Sequence, residues 1–364
     1  MIDQSTVFRC GHIFNKLAPS LVHSPKKIYS EVEISYPTRM EAMALDPSKV
    51  AVREDMTYSA GQIDITVDLL RKVRIRVIDG TKDVVHSDRN RIALINHSLG
   101  LMRSALAVKD CYEVFFDDTA NFRHSGFGSS SGTIAAVAHA LNEVYGKPIQ
   151  ARPLVQYLAR NHGEDIDGQE NMLRSVQCLG GSAACGAYEG SLFVVAGDNL
   201  VLSTMVVPDD YSVIIGVPKD YAQPDANFLM VDEEKNMQGF IESGRQYAKE
   251  IGYRMLHEVL PAMLEADLWT IGSLIEDYRW GMGSIKNCSF AYPGLIELSK
   301  EVIKIRDKGK TPIVSLSSVG PGFFALTKDA EFVKKYFLDL GMNVVESKPF
   351  NGTYKVNKLI RVSQ

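Results

Sequence analysis

The order of strand-like and helix-like segments most restricts the fold of this chain. Residues 31–45 and 64–80 alternate apolar and polar side chains as strands do, and the second segment ends in the turn pair Asp79-Gly80. Helix-like and further strand-like segments follow, without a regular strand–helix–strand alternation. This order predicts an α+β fold with two lobes.

We expect three segments along the chain. Residues 1–32 show little periodicity and are predicted to be an amino-terminal extension, which could serve as an arm or contribute to a homodimer. Residues 33–200 are predicted to form a first lobe, and residues 201–364 a second lobe. Within the first lobe, residues 164–175 are polar and acidic and are predicted to be a loop exposed to solvent.

Composition excludes several classes of function. The chain has 364 residues, of which 45% are hydrophobic, and a net charge of −4, which gives it no general affinity for nucleic acid or for an anionic membrane. Its five cysteines form no CxxC pair, which argues against a zinc site or a disulfide framework. With no signal peptide or membrane span recognised, we expect a cytoplasmic protein.

A short glycine- and hydroxyl-rich loop precedes a predicted helix over residues 131–146. The loop reads HSGFGSSSGT from His124 to Thr133. A helix N-terminus carries unpaired N–H groups and a partial positive charge, and small residues let an anion approach the backbone. The candidate ligand-binding residues are Ser125, Gly126, Gly128, Ser129, Ser130, Ser131, Gly132 and Thr133.

Two interpretations of this loop remain open at the sequence level. It could bind phosphate, or it could be a tight strand-to-helix turn with a serine cap. It is not a Walker loop, because no lysine follows the glycines. It also lacks the dinucleotide-binding pattern.

Two segments resemble the superfamily of galactokinase, homoserine kinase, mevalonate kinase and phosphomevalonate kinase, known as GHMP kinases. Residues 126–146, GFGSSSGTIAAVAHALNEVYG, look like its phosphate loop and following helix, and residues 315–329, SLSSVGPGFFALTKD, look like its late glycine-rich motif. The resemblance implies two α+β lobes with the ligand in the cleft between them. It also implies that Gly320 and Gly322 contact the ligand.

The resemblance departs from the kinases at one position. Many of these kinases carry an acidic base in a segment that matches GGSAACGAYEG, residues 180–190, and Ser182 stands where the carboxylate is expected. Without that carboxylate the usual base for a substrate hydroxyl is missing. Some kinases of the superfamily also lack it, so the kinase interpretation is weakened but stays open.

Four stretches resemble β-ribofuranosylaminobenzene 5′-phosphate synthases, a branch of the superfamily that are not kinases. They are YPTRMEAMALD, GSAACGAYEGSLFVV, VLPAMLEADLWTIGSLI and SSVGPGFFAL. The last stretch has Val319 where the branch has tryptophan, and Thr38 replaces a serine before Arg39. The resemblance implies transfer of ribose 5-phosphate from phosphoribosyl pyrophosphate to an aromatic carboxylate, with Mg²⁺ and with loss of pyrophosphate and carbon dioxide.

Three residues are the catalytic candidates in this interpretation. Arg39 could hold a phosphate or carboxylate, or form a surface ion pair. Asp46 could orient a ribose hydroxyl or Mg²⁺, or cap a helix before Pro47. Ser182 could contact substrate or be a small packing residue. Ser130 is the candidate metal ligand.

Several other residues are weighed toward structural roles. Glu164, Asp165 and Asp167 are more consistent with a solvated loop than with a cation site, since their spacing lacks the features of a calcium loop. His124 and Lys286 could meet phosphate, although surface positions are expected for both. Cys185 is expected to be a packing residue.

Three functions are therefore carried forward. The leading one is a synthase that uses phosphoribosyl pyrophosphate and an aromatic carboxylate. The alternatives are an ATP-dependent kinase of small molecules and a non-catalytic binding protein with the same fold.

Overall fold

A computed structural model describes residues 6–18, 25–50, 58–118, 125–222, 224, 226–308 and 310–362. Helices and antiparallel sheets are mixed along the chain, so the predicted α+β class is confirmed. No helix within these ranges combines the length and apolar character needed to cross a membrane.

The first elements belong mainly to the amino-terminal lobe. In chain order they are β1 Val7–Arg9, β2 Tyr29–Ala44, β3 Gln62–Ile78, β4 Val84–His86, α1 Arg89–Leu106, β5 Cys111–Asp118, α2 Ser129–Val144, α3 Ala151–Arg160, β6 Gly163–Ile166, β7 Gln169–Ser175, α4 Gly181–Ala184, β8 Leu192–Ala196 and β9 Leu200–Met205.

The later elements build the carboxyl-terminal lobe and one returning strand. They are β10 Ser212–Pro218, α5 Ala226–Arg254, α6 Leu260–Glu265, α7 Leu268–Glu276, α8 Ser284–Asn287, α9 Leu295–Asp307, β11 Ile313–Leu316, β12 Phe323–Thr327, α10 Ala330–Asp339, β13 Met342–Ser347 and β14 Lys355–Arg361. Two π-helical turns, Met255–Val259 and Asp277–Gly281, continue α5 and α7.

The largest sheet is organised around the long strand β3. Its strand order is β14-β2-β3-β5-β4 in the described part of the chain, and β8 and β9 extend it at the other end of β3. Residues 71–78 of β3 pair with β5, whereas residues 62–65 pair with β8. Helices α1 and α2 pack against this sheet through a continuous apolar core. Since β3 spans two pairing regions, its amino-terminal half reaches from the core into the cleft.

The second sheet has the order β11-β12-β10-β13 and is antiparallel throughout. All seven residues of β10 are buried, because α10 and the apolar residues of β12 and β13 cover this central strand. The core of this lobe continues into α7 and α9, which pack on β11.

The segment predicted as a solvated loop is a hairpin instead. Strands β6 and β7 pair across the turn Asp167-Gly168, in which Gly168 has a φ of +80°, and β1 adds a third strand. Leu173 and Asp165 are buried. The prediction was wrong because the polar composition hid the local pairing of β6 with β7, and because β1, which pairs with β7, lies far earlier in the sequence.

The predicted division of the chain differs from the strand pairing in two places. The division at residues 200 and 201 falls at the start of β9, which pairs with β8 in the first sheet. The last strand, β14, pairs with β2 in the same sheet. The end of the chain therefore belongs to the sheet of the amino-terminal lobe. Residues 7–9 and 29–32 of the predicted extension also lie in strands, namely β1 and the start of β2.

Candidate functional site

A cavity of about 270 Å³ lies where elements of both lobes meet. The amino-terminal lobe contributes residues of β2, the Gly126–Ser131 segment, the β6–β7 hairpin and the start of α4. The carboxyl-terminal lobe contributes residues of α5, the π-helical turn after α7 and the loop between β11 and β12. The cleft expected from the sequence resemblance is therefore lined by the predicted loop.

Gly128 forms the turn into α2 because no larger residue fits. It occupies the N-cap position with a φ of +56°, and its carbonyl accepts the Gly132 N–H at 2.8 Å. A Cβ atom here would lie 2.6 Å from Ser182 Oγ and 3.0 Å from Arg39 Nε. The glycine thus allows the helix N-terminus, an arginine and a serine hydroxyl to approach one point beside the cavity.

The two glycine-rich segments interlock, although about 190 residues separate them. Ser317 Oγ donates to the Gly126 carbonyl at 2.7 Å, and a Cβ atom on Gly126 would overlap the Ser317 carbonyl oxygen. A Cβ atom on Gly322 would lie 2.5 Å from the Ser125 carbonyl oxygen. This packing fixes the position of the loop from the other lobe.

The predicted ligand-binding residues divide into two groups. The cavity is lined by Gly126, Gly128, Ser129, Ser130, Ser131 and Gly320. Ser125, Gly132, Thr133 and Gly322 lie outside the lining. The Thr133 hydroxyl donates to the Ser129 carbonyl at 2.9 Å, and Gly132 packs on the Arg71 guanidinium. Both residues are therefore buried within the lobe and do not line the cavity.

Arg39 and Ser182 form a polar network on the cavity wall. The Arg39 guanidinium lies 3.2 Å from Glu41 Oε2 and donates to Ser182 Oγ at 3.3 Å through Nε. Ser131 Oγ donates to the same serine oxygen at 2.7 Å. Helix α2, strand β2 and helix α4 therefore present one cluster of hydroxyl and guanidinium groups beside the glycine-rich loop at residues 126–128.

A carboxyl group that sequence reasoning missed lies behind this cluster. Asp64 of β3 is fully buried, with Oδ1 3.8 Å from Arg39 Nε, and Gln62 Nε2 donates to its Oδ2 at 2.5 Å. Burial raises the pKa of Asp64 to about 8, although Arg39 acts in the opposite direction. The polar residues at alternate positions of QIDIT were the available signal, because that face of β3 turns toward the cleft.

A second arginine of the cavity was also missed. Arg279, in the π-helical turn after α7, is 2% exposed and lines the cavity. Its Nε donates to the Ala42 carbonyl at 2.8 Å, and its Nη1 donates to Ser284 Oγ at 3.1 Å and to the Ser318 carbonyl at 3.0 Å. Nothing in the sequence marked it, since most of its partners come from β2 and from the segment after β11.

Acidic side chains occupy another part of the wall. The Ser130 hydroxyl donates to Glu164 and lies 3.2 Å from Asp165 Oδ1, so these two carboxylates of the predicted solvated loop face the start of α2 instead. Burial raises the pKa of Glu233 on α5 to about 7, and the carboxylates of Glu41 and Glu164 add to this rise. Among the described residues, no group of three or more His, Cys, Asp or Glu side chains is arranged to hold a metal by itself.

The remaining candidates lie away from the cavity or outside the description. Asp46 caps the short helix Pro47–Lys49 by accepting from the Ser48 N–H at 3.1 Å and from the Tyr58 hydroxyl at 2.9 Å. Lys286 is exposed on α8. Cys185 is buried, and burial raises the pKa of its thiol to about 12. His124 lies outside the described residues.

Comparisons with known proteins agree with this architecture. Residues 106–172 match the family model described as the GHMP kinases N terminal domain. This segment includes the glycine-rich loop before α2, all of α2 and the acidic residues that face Ser130. No curated protein sequence matches the chain.

Solved structures show the same fold over nearly the whole chain. Homoserine kinase from Cytophaga hutchinsonii is 16% identical with a TM-score of 0.57, and the match covers 90% of this chain and 97% of that one. Mevalonate diphosphate decarboxylase from Staphylococcus aureus is 15% identical with a TM-score of 0.64, covering 91% and 98%. The fold is therefore that of GHMP kinases and of structurally similar decarboxylases.

Proposed function

We propose that this protein transfers ribose 5-phosphate from phosphoribosyl pyrophosphate to a ring carbon of an aromatic carboxylate, releasing pyrophosphate and carbon dioxide. The observation that carries the proposal is the cluster at Gly128. There a helix N-terminus and a guanidinium meet the hydroxyl of Ser182, where the superfamily's kinases often have a carboxylate. Such a site suits departure of a polyphosphate better than activation of a substrate hydroxyl.

The pyrophosphate is assigned to the N-terminus of α2. The backbone N–H groups of the first turn and the serine hydroxyls supply neutral donors, and the helix adds a partial positive charge. Arg39 lies beside this point. Gly128 has no side chain, and a Cβ atom there would lie 3.0 Å from Arg39 Nε. We therefore assign Arg39 to the leaving group rather than to the ring carboxylate.

The residues around Ser130 fit the Mg²⁺ that the proposal requires. One hydroxyl and the carboxylates of Glu164 and Asp165 converge there, and Mg²⁺ in proteins commonly takes one or two carboxylates together with phosphate oxygens. When bound, Mg²⁺ would neutralise part of the charge that develops on pyrophosphate. The hairpin β6–β7 would hold the carboxylates in place.

The bond changes balance without an added proton or oxidant. The bond between ribose C1 and the pyrophosphate oxygen breaks, and its electron pair leaves with pyrophosphate. The ring carbon that bears the carboxylate forms the new bond to C1. The bond from that carbon to the carboxylate then breaks, carbon dioxide leaves, and the electron pair restores the aromatic ring. The protein supplies positioning and charge stabilisation.

The position of Asp64 supports this reaction over phosphoryl transfer. It is the carboxyl group behind Ser182, yet it is fully buried and does not line the cavity. With its pKa raised to about 8 it holds a proton near neutral pH. A carboxyl group that is both protonated and out of reach of the substrate is a poor general base.

An ATP-dependent kinase remains the second candidate, and one observation favours it. The phosphate loop and α2 lie inside the segment that matches the GHMP kinases N terminal domain. The similar mevalonate diphosphate decarboxylase from Enterococcus faecalis binds ATP, and at 16% identity it shares the fold with this chain. A kinase of this fold would use the same loop for the phosphates of ATP.

Two incubations separate these functions, one with phosphoribosyl pyrophosphate and one with ATP and a set of small alcohols. The protein with Mg²⁺ is mixed with phosphoribosyl pyrophosphate and a set of aromatic amino-carboxylates, and products are measured by mass spectrometry. A product that carries ribose 5-phosphate and has lost its carboxyl group supports the proposal. A product that keeps the carboxyl group contradicts the decarboxylative step. ADP formed from ATP with a small alcohol favours the kinase, and binding without turnover favours a non-catalytic role.

A further inference from the structure

Arg279 carries a positive charge and makes no ion pair within 4 Å among the described residues. Its remaining hydrogen bonds run from Nε to Ser315 Oγ at 3.0 Å and from Nη2 to the Glu41 carbonyl at 3.3 Å. Every partner in the described chain is therefore a carbonyl or a hydroxyl, and none is a carboxylate. The Tyr278 ring, 5.2 Å from Cζ, adds only a weak attraction.

The hydrogen bonds explain where the side chain lies, but they do not require its charge. Strand β2 has an extra residue opposite β3 at Ala42, which leaves the Ala42 carbonyl to be satisfied by Arg279 and Ser315. A neutral donor could meet the same need. A buried guanidinium without an anion is unfavourable, so its presence beside a cavity points to an anion that arrives with the ligand.

One N–H group of Arg279 remains for that ligand. Nη2 has two N–H groups and makes one hydrogen bond within the described residues, the long one to the Glu41 carbonyl. The side chain lines the cavity, and it is braced from both lobes through Ala42 and Ser318. A rigidly held guanidinium loses little entropy when it binds an anionic oxygen.

We propose that Arg279 is the anion-binding residue of the carboxyl-terminal wall and takes an anionic oxygen at a second end of the substrate, apart from the pyrophosphate at α2. This identification of the substrate rests on the proposed function. In that reaction the anionic oxygen belongs to the 5-phosphate of ribose or to a carboxylate of the acceptor. The two sources share the chemistry of a desolvated anionic oxygen facing a guanidinium.

The experiment measures binding by isothermal titration calorimetry at pH 7.5, with ribose 5-phosphate and benzoate as separate probes. The unmodified protein is compared with Arg279→Met, which removes the charge. Arg306→Met is the matched control, because Arg306 is also a buried arginine with a neutral hydroxyl partner but is paired with Glu276 and lies outside the cavity. We expect the dissociation constant of one probe to rise roughly 10- to 100-fold in Arg279→Met. In Arg306→Met we expect it to stay within about twofold.

The affected probe identifies the source of the anionic oxygen. Unchanged affinity of both probes in folded Arg279→Met would overturn the proposal, as would failure of both to bind the unmodified protein at millimolar concentration. If Arg279→Met does not fold, Arg279→Lys decides, since it keeps the charge but loses the planar donors, and a loss of roughly 3- to 10-fold is expected. No turnover is measured, so this result stands or falls separately from the reaction assay.

Discussion

Arg39 and Arg279, two of the arginines that line the cavity, have opposite charge environments. Arg39 faces two carboxyl groups, with Glu41 at 3.2 Å and Asp64 at 3.8 Å, whereas Arg279 makes all its described hydrogen bonds to neutral oxygens. Both side chains are largely buried. The difference shows that a cavity arginine can be held in place either by acidic side chains or by carbonyl and hydroxyl oxygens.

The largest expected effect concerns the close approach of Gly128 to Arg39 and Ser182. In Gly128→Val the new side chain would meet Ser182 and Arg39 at a φ of +56°, so we expect pyrophosphate affinity to fall by about 1,000-fold or more. Gly197→Val is the matched control, because Gly197 has a φ of +59° and no atom lies within 4 Å of its Cβ position. Calorimetric titration of both variants with pyrophosphate and Mg²⁺ provides the measurement. Equal loss in the two variants would mean that backbone strain, not the site, is responsible.

Arg39→Lys tests whether a charge-paired arginine still contributes to the reaction. Lysine keeps the charge but cannot contact Ser182, Glu41 and the leaving group through one planar fork. We expect a loss of roughly 30- to 1,000-fold in rate, corresponding to about 2–4 kcal/mol of transition-state stabilisation, with a smaller loss of folding stability. Turnover is followed by mass spectrometry and stability by urea denaturation. A variant as fast as the unmodified protein would restrict Arg39 to a structural role.

Asp64→Asn sharpens the comparison by removing the buried titratable group beside Arg39. Because the folded-state pKa of Asp64 is raised, its contribution to stability is complete below about pH 4 and is lost as the pH rises toward 8. We expect the unmodified protein to lose about 1 kcal/mol per pH unit from this group between pH 5 and 8, and the variant to lack that slope. Urea denaturation at four pH values measures it, and parallel curves would contradict the raised pKa.

The smallest effect is expected at Glu233, which changes the potential of the cavity rather than a contact. Since its pKa is raised to about 7, Glu233 becomes negatively charged between pH 6 and 8 and should weaken anion binding over that range. We expect sulfate, whose own charge is constant there, to lose about threefold more affinity in the unmodified protein than in Glu233→Gln. Sulfate titrations at pH 6, 7 and 8 provide the test. A loss of the same size in both proteins would assign the pH dependence to another group.

Local patterns were sufficient for much of the fold. The alternation in residues 31–45 and 64–80 predicted β2 and β3, and the glycine- and serine-rich loop predicted the start of a helix, which begins at Ser129. These features follow from the period of a strand and from the preference of small polar residues for helix starts. The hairpin β6–β7 was missed although its strands are adjacent in sequence, because its residues are mostly polar and show no apolar alternation.

The candidate site was only partly visible in the sequence. Motif resemblance found Arg39, Ser182 and a glycine-rich loop of which residues 126–131 line the cavity. It also chose Asp46, which caps a short helix outside the lining. Asp64 went unnoticed although the polar residues at alternate positions of QIDIT were a signal, and Arg279 went unnoticed because an arginine after a helix has no local signature.

The sequence by itself determined the α+β class, the two long strands and the loop whose glycines permit close approach of an anion. The tertiary structure alone decided the charge of each side chain in the cavity. Ionisation and available hydrogen-bond donors depend on burial and on neighbours within a few ångströms. These neighbours come from residues up to 238 positions apart, as with Arg279 and the carbonyls of Glu41 and Ala42. Those distances in space are fixed only when both lobes have packed around the cleft.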